Sequence, residues 1–263
     1  MLTLQKTKYL PSLGGKTWDN DNEEHSFEQT QRLYIKRARI DVIIILAGSS
    51  EASKYELFQR LNTGGSELSD QELRNCILIS IDPDAYRWLE ALATDNDFPS
   101  LLSLTERLQS RQYHLELVLR FILLYDASTQ DLSDITDIGE YITDRMTELA
   151  IGHKLVSEAT RDIFRRTFAV IAQTLRSQAF QRFDANDNRF TGSFLISAFE
   201  AVSLGIAENI DAWEQQRDQQ TALQTAIQRL WRDNVFTGNI GSGIRASQRV
   251  PRIVPRGREI VTP

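Results

Sequence analysis

The feature that most limits the fold is a long interval without proline, from Pro99 to Pro251, in which glycine is also sparse. Proline lacks a backbone N–H and its ring clashes with the preceding helical turn, so such an interval can hold long uninterrupted helices. Apolar residues recur there at helical spacing. This pattern predicts helices over residues 113–125, 135–149, 157–183, 194–207 and 213–231. Because 113–125 is apolar nearly all round, we expect a mainly α fold, a helical bundle with that segment as its buried centre.

The composition is that of a globular protein that can bury a core. Of the 263 residues, 41% are hydrophobic and 25% are charged. The single cysteine, Cys76, excludes an internal disulfide and indicates a reducing compartment. We expect it to be buried and unreactive on an apolar helix face. No apolar run reaches about 18 residues, and no signal peptide is recognisable, so a cytoplasmic protein without a membrane partner is expected.

Charge is distributed unevenly along the chain. The net charge is -6, but residues 237–263 carry five arginines against one acid, Glu259, which leaves +4 there and -10 elsewhere. Glycines together with Pro251 and Pro255 in this segment predict a flexible basic tail rather than a helix. A cluster of arginines can neutralise nucleic-acid phosphates, although a solvated tail or one docked on the acidic body is at least as well supported. The candidate DNA contacts are Arg245, Arg249, Arg252, Arg256 and Arg258.

Residues 36–46 contain the one convincing strand pattern in the sequence. Their second half is a continuous β-branched run, which is typical of a strand covered on both faces. A single strand is not stable alone, so its sheet partners are either weakly marked or missing.

The segment 54–75 predicts a helix, a glycine turn and a second helix. Asn62 and Gly64-Gly65 are residues that tolerate the left-handed backbone at a helix end. Ser69 followed by Glu72 forms a capping box, which predicts the start of the second helix. The turn is either a structural corner or an amide-lined nest for a phosphate.

The run 58–75, Phe-x-Arg-Leu-Asn-Thr-Gly-Gly-x-x-Leu-Ser-x-Gln-Glu-Leu-Arg-Asn, resembles the N-terminal domain family of GmrSD-type restriction systems. Residues 116–121 and 15–18 are similar to further family segments, and 188–201 is weakly similar. The resemblance covers roughly residues 5–235.

This resemblance implies a bacterial or archaeal protein that defends against foreign DNA, in a family that binds and hydrolyses nucleoside triphosphates. It implies an NTP with Mg²⁺ as cofactor. The nucleotide-binding candidates are Arg60, Asn62, Thr63, Gly64, Gly65, Arg74 and Asn75, with Glu72, Glu116 and Arg120 supporting them. Glu116 and Arg120 are four residues apart, so they form either an ion pair on a partly buried face or a contact to a ligand or another domain.

The sequence departs from the family in two respects. The Asp-Gly-Gln-Gln-Arg stretch of its ParB-like α/β part is absent from these 263 residues, and so is an HNH nuclease. His25, His114 and His153 lack the paired spacing of a nuclease metal site, so no metal is expected. Residues 184–188 are similar to the start of a calcium loop, but Arg189 and Leu195 stand where its glycine and glutamate belong, so a polar turn between helices is predicted.

We therefore expect the helical C-terminal half of a family member. Residues 1–130 would be a partial GmrSD N-terminal-like domain, 131–235 a helical bundle and 236–263 the tail, with strand 36–46 left from the ParB-like part. The chain would hold half of a nucleotide site and be inactive alone, so its enzymatic status stays open. A missing N-terminal half or a protein partner would complete it. The alternatives are a non-enzymatic helical adaptor and a DNA-binding module acting through the tail.

Overall fold

The structure, a computed structural model, describes residues 2–39, 42, 68–95, 97–241 and 243–263. It is mainly helical with a small two-stranded antiparallel sheet, which confirms the predicted fold class. The chain forms two compact units, Met1–Ser49 and Ser50–Pro263. In the part that the structure describes, no helix combines the length and apolar character needed to cross a bilayer.

The first unit contains helix α1, Gln29–Lys36, after two short 3-10 helices, Pro11–Leu13 and Glu23–His25. A capping box between Glu28 and Gln31 begins α1, which then continues through Lys36. Residues 37–39 and Val42 belong to neither helix nor strand. The strand predicted from residue 36 is therefore wrong over 36–39 because the capped helix occupies its start. The rest of that prediction, apart from Val42, lies outside the described residues.

The second unit holds the remaining helices and the hairpin. The helices are α2 Asp70–Ile81, α3 Pro83–Ala93, α4 Phe98–Leu102, α5 Glu106–Ser110, α6 Tyr113–Asp126, α7 Thr129–Ser133, α8 Ile138–Ile151, α9 Glu158–Gln173, α10 Ile196–Glu208, α11 Ile210–Gln215, α12 Gln219–Arg232, α13 Asn234–Gly238 and α14 Ala246–Ile260. A 3-10 helix, Arg176–Phe180, leads into strands β1 Arg182–Asp184 and β2 Arg189–Thr191.

The start of α2 confirms the predicted capping box. The backbone N–H of Ser69 donates to Glu72 Oε2 at 2.7 Å, and the Glu72 N–H donates to Ser69 Oγ at 3.3 Å. The helix predicted before the glycine turn lies outside the described residues. Cys76, on α2, is exposed rather than buried, because the helix turns Leu73 and Leu78 into the core instead.

Two helices, α6 and α10, occupy the centre of the second unit. In α6 every residue from Leu115 to Leu124 except Glu116 is buried, as its pattern predicted. In α10 all residues from Ser197 to Ala207 are buried. Among the described helices, the most extensive pairing joins α10 to α14. The core of this unit is therefore built around these two helices and the elements that surround them.

The flexible tail predicted for 236–263 is wrong, because most of it forms α13 and α14. Pro251 and Pro255 lie inside α14, where each removes one helical hydrogen bond. Burial of Val250, Ile253 and Val254 against α10 offsets that loss.

The helices of the middle region differ from the sequence prediction in their limits. The segment 157–183 is not one helix, because α9 ends at Gln173 and β1 begins at Arg182. The turn at 184–188 joins two strands rather than two helices, since Phe183 and Phe190 pair across the hairpin with ring centroids 5.3 Å apart. The segment 213–231 is divided between α11 and α12, because Asp218 caps a new helix start.

Candidate functional site

The structure describes only some of the residues that the sequence assigned to nucleotide binding. Arg60, Asn62, Thr63, Gly64 and Gly65 lie outside the described residues. Arg74 and Asn75 lie on α2 and are 2% and 8% exposed. The candidate site therefore consists of the buried face of α2 and the helices that this face contacts.

Arg74 binds groups on three helices. Its Nε donates to Thr143 Oγ1 at 3.1 Å, Nη1 to Gln71 Oε1 at 3.3 Å and Nη2 to the Gly139 carbonyl at 3.4 Å. Nη1 also lies 3.6 Å from Glu116 Oε2. The guanidinium thus ties α2 to α8 and α6. Buried in this way, it makes charge-assisted contacts that hold helices together.

Asn75 and the supporting residue Glu72 also have partners inside the protein. Gln71 Nε2 donates to Asn75 Oδ1 at 2.9 Å. Glu72 accepts from the backbone N–H of Ser69. Ser69 Oγ in turn donates to the Arg111 carbonyl at 2.9 Å, which fixes the start of α2 next to the start of α6.

Glu116 and Arg120 form the ion pair that their spacing predicted. Arg120 Nη2 and Nε donate to Glu116 Oε1 at 2.8 and 2.9 Å. Arg120 Nη1 also donates to Glu200 Oε1, on α10, at 2.9 Å. Burial would lower the pKa of Arg120, but the nearby Glu200 and Glu116 carboxylates outweigh it and raise that pKa above its ordinary value. The pair therefore stays ionised and links α6 to α10.

Two members of this cluster were not predicted from the sequence. Glu200 is 1% exposed and accepts from Arg249 Nε at 3.2 Å and from Arg249 Nη2 at 3.3 Å. A glutamate inside the apolar helix 194–207 was the available signal, since a buried carboxylate needs a cationic partner. The sequence predicted Arg249 to be a DNA contact, whereas the structure pairs it with Glu200. We call Arg74, Glu116, Arg120, Glu200 and Arg249 the buried charge cluster.

Tyr113 lies beside the buried charge cluster. Burial raises the pKa of Tyr113 to about 12; the field of Arg120 opposes this rise and that of Glu116 adds to it. The neighbouring His114 is half-buried, and burial lowers its pKa. At neutral pH both side chains are therefore uncharged, and the Tyr113 hydroxyl can donate a hydrogen bond.

The chemistry of the buried charge cluster is that of a helix-joining ion network. Each of its carboxylates is shared between two guanidiniums, so neither is available as a general base without breaking an ion pair. Within the described ranges, no group of three His, Cys, Asp or Glu side chains is placed to hold a metal ion. The assignment of Arg74 and Asn75 to an NTP with Mg²⁺ stays a prediction, although the Arg74 guanidinium and Asn75 Oδ1 already have partners within the protein.

The other arginines assigned to DNA are placed along α14. Arg252 Nη1 donates to Asn239 Oδ1 at 2.7 Å, and Arg256 Nη2 donates to Asp233 Oδ2 at 2.7 Å. Arg258 donates to the carbonyls of Leu124, Tyr125 and Ala127, at the carboxyl end of α6. This contact satisfies carbonyls that the helix end leaves unpaired. Arg245 is exposed at the start of α14.

Comparisons with known proteins identify no relative of this chain: no family model, curated protein or solved structure matches it. The resemblance to the GmrSD family therefore depends on the motif residues alone.

Proposed function

We propose that this chain is the helical part of a prokaryotic DNA restriction or antiphage defence protein of the GmrSD type. It contributes the turn of residues 62–65 and the helix α2 to a nucleotide site. A segment bearing Asp-Gly-Gln-Gln-Arg, on another chain or elsewhere in the same protein, completes the site. The chain alone does not hydrolyse NTP.

One observation carries the proposal. Two segments with family similarity, 58–75 and 116–121, are distant in sequence but meet in the second unit through Arg74 and Glu116, whose Nη1 and Oε2 atoms are 3.6 Å apart. The Ser69–Arg111 hydrogen bond joins the same two helices at their starts. A motif that only formed a local corner would not require its second helix to be ionically paired with the other family-like segment.

The ion pairing of the carboxylates in the buried charge cluster supports inactivity of the chain alone. Glu116 and Glu200 are the two carboxylates of this cluster, and arginines hold both of them. Phosphoryl transfer depends on metal ions and a positioned nucleophile, and the described residues offer no cluster of metal ligands. The missing groups are therefore assigned to the completing segment.

A phosphate-release assay tests the proposal. We expect the purified chain to release no phosphate from ATP, GTP, CTP or UTP with Mg²⁺. Addition of a neighbouring gene product that carries the Asp-Gly-Gln-Gln-Arg segment should start release, and Asn62→Ala should abolish it. Asn234→Ala is the matched control, because Asn234 is an exposed asparagine on α13 and should leave release unchanged. If the chain alone released phosphate and Asn62→Ala abolished that release, the proposal that the chain holds only half of a nucleotide site would be contradicted.

A second candidate is a non-enzymatic adaptor, and α1 favours it. Leu33, Tyr34 and Ile35 are 42%, 83% and 50% exposed on this short helix. Leu33 and Tyr34 line the same surface depression, and a contiguous exposed apolar patch is a feature of surfaces that bind another protein. In the same assay, a neighbouring gene product that co-purifies equally with the wild type and with Asn62→Ala, without any phosphate release, would favour the adaptor.

A further inference from the structure

A basic cleft lies at the carboxyl end of α12, where this helix meets α14. Its volume is about 440 Å³. Three guanidiniums, two carboxylates and one apolar side chain line it: Arg229, Arg232, Arg256, Asp233, Glu259 and Ile260. We call it the α12–α14 cleft. It belongs entirely to the second unit and includes no residue of the nucleotide motif.

Both carboxylates of the cleft are already occupied. Asp233 Oδ2 accepts from Arg256 Nη2 at 2.7 Å, and Asp233 Oδ1 accepts from the Phe236 N–H at 2.8 Å. Glu259 Oε2 accepts from Arg256 Nη1 at 2.5 Å. The hydrogen bond from Arg256 lowers the pKa of Asp233, so this carboxylate is ionised at neutral pH. The two acids therefore fix Arg256 in place and neutralise it.

The other two guanidiniums have no carboxylate partner in the described part of the chain. Arg229 Nη2 donates only to a neutral acceptor, the Thr262 carbonyl, at 2.8 Å. Arg232 makes no hydrogen bond or ion pair with any described residue, and its side chain is exposed on the cleft wall. With three cations and two anions, the cleft carries a local excess of one positive charge, although the whole chain is at -6.

Capping of the α12 dipole is the ordinary explanation for arginines in a last helical turn. It accounts for their presence but not for their arrangement. Arg232 donates to no described carbonyl of α12, whereas Arg258 on α14 makes four such contacts to the end of α6. Arg229 and Arg232 are three residues apart and share one helix face, and the fixed Arg256 approaches from α14. Guanidiniums converging from two helices match the oxygens of a phosphate group.

We propose that the α12–α14 cleft binds a phosphate group of a ligand through Arg229 and Arg232, with Arg256 as the fixed third wall. The phosphate belongs either to a free polyphosphate chain or to a nucleic-acid backbone, since both present the same oxygens. The exposed Arg245 and the partly paired Arg252, on the same α14 that carries Arg256, would lengthen the contact for a backbone. This site is independent of the proposed nucleotide site and does not require the completing segment.

Binding of two probes to the full chain tests the proposal. Calorimetry with tripolyphosphate and fluorescence anisotropy with a labelled twelve-nucleotide oligothymidine distinguish the two sources of phosphate. The variants are Arg232→Gln and Arg229→Gln. Arg217→Gln is the matched control, because Arg217 is also exposed and its loss changes the net charge by the same amount outside the cleft. Thermal unfolding of each variant checks that the fold is retained.

We expect Arg232→Gln to weaken binding of the preferred probe by about tenfold, with Arg217→Gln within about twofold of the wild type. Binding should also weaken steeply with added salt. If the oligonucleotide binds more tightly than tripolyphosphate, the cleft is a site for a nucleic-acid backbone. If tripolyphosphate binds more tightly, the cleft is a site for a free polyphosphate chain. Binding of neither probe, or equal weakening by Arg217→Gln and Arg232→Gln, would overturn the proposal.

Discussion

The two faces of α14 perform different tasks with different residues. Its inner face buries Val250, Ile253, Val254 and Gly257 against α10. Its arginines 245, 249, 252 and 256 follow a spacing of four, three and four residues, which places them along one other face. The inner face is apolar and closely packed, whereas the arginine face consists of cations held to different degrees by neighbouring helices.

This difference shows that an arginine side chain does not by itself mark a residue as a binding residue. Arg249 is held by the buried Glu200, Arg256 by Asp233, and Arg258 by the carbonyls at the end of α6. These three hold the fold together. Arg232, near the same helix but on α12, has no such partner among the described residues. Burial and pairing, rather than charge, separate the structural arginines from the candidate contacts.

The largest effect is expected where the arginine face joins the core. Glu200→Gln leaves Arg120 and Arg249 without their shared carboxylate, and removal of one partner of a buried ion pair costs about 3–5 kcal/mol of unfolding free energy. Glu208→Gln, on the same helix but with half of its side chain exposed, should cost less than about 1 kcal/mol. Urea unfolding measures both. Equal midpoints for the two variants would mean that the buried charge cluster does not hold α6, α10 and α14 together.

The second-largest expected change in unfolding free energy comes from the inner face of α14. Its cause is steric overlap rather than the loss of an ion pair. A Cβ added at Gly257 would lie 2.7 Å from Ala201 Cα and 2.8 Å from Ala201 C, so α14 would have to move away from α10. We expect Gly257→Ala to lower the unfolding free energy by about 1–3 kcal/mol. Gly238→Ala is the control, because a Cβ there meets no atom within 4 Å and alanine favours a helix. If Gly257→Ala raises the melting temperature as Gly238→Ala should, the close packing of this face is refuted.

The same comparison explains which parts of the fold could be predicted from the sequence. The capping box at Ser69 and the buried helix α6 were predictable because their signals are local: a spacing of three residues and an apolar run. The helix α14 was not, because Pro251 and Pro255 are local signals for a loop, and the apolar contact that offsets them is made with α10, about fifty residues earlier in the chain.

The residues of the candidate site also divide into those that local sequence predicts and those that depend on distant contacts. The Glu116–Arg120 pair lies within one helix and was predicted from its spacing. Glu200 meets Arg120 from 80 residues away, and no local pattern indicates which arginine would find it. The unpaired state of Arg232 depends on the positions of α12, α13 and α14 together. Long-range pairing therefore decided which charged residues are structural, and a single sequence does not contain that information.

The smallest expected change in unfolding free energy comes from substituting Asp233, which lines the α12–α14 cleft, and it depends on pH. Because Arg256 lowers the pKa of Asp233 in the folded state, the carboxylate contributes stability that is present above its unfolded pKa of about 3.9. That stability is lost as the pH falls through the lower folded pKa. We expect Asp233→Asn to reduce the unfolding free energy at pH 7 by up to about 1 kcal/mol, and the difference from the wild type to shrink as the pH falls below about 4.

Asp84→Asn is the matched control for this measurement. Asp84 also contacts an arginine, Arg87, but their side chains are 87% and 73% exposed, so its substitution should change stability little at any pH. Chemical unfolding at pH 7, 5, 4 and 3 gives the two difference curves. A constant deficit of Asp233→Asn across this range would show that the aspartate acts as a neutral helix cap and not as the ionised partner of Arg256. Glu259 would then be the remaining carboxylate partner of Arg256 in the cleft.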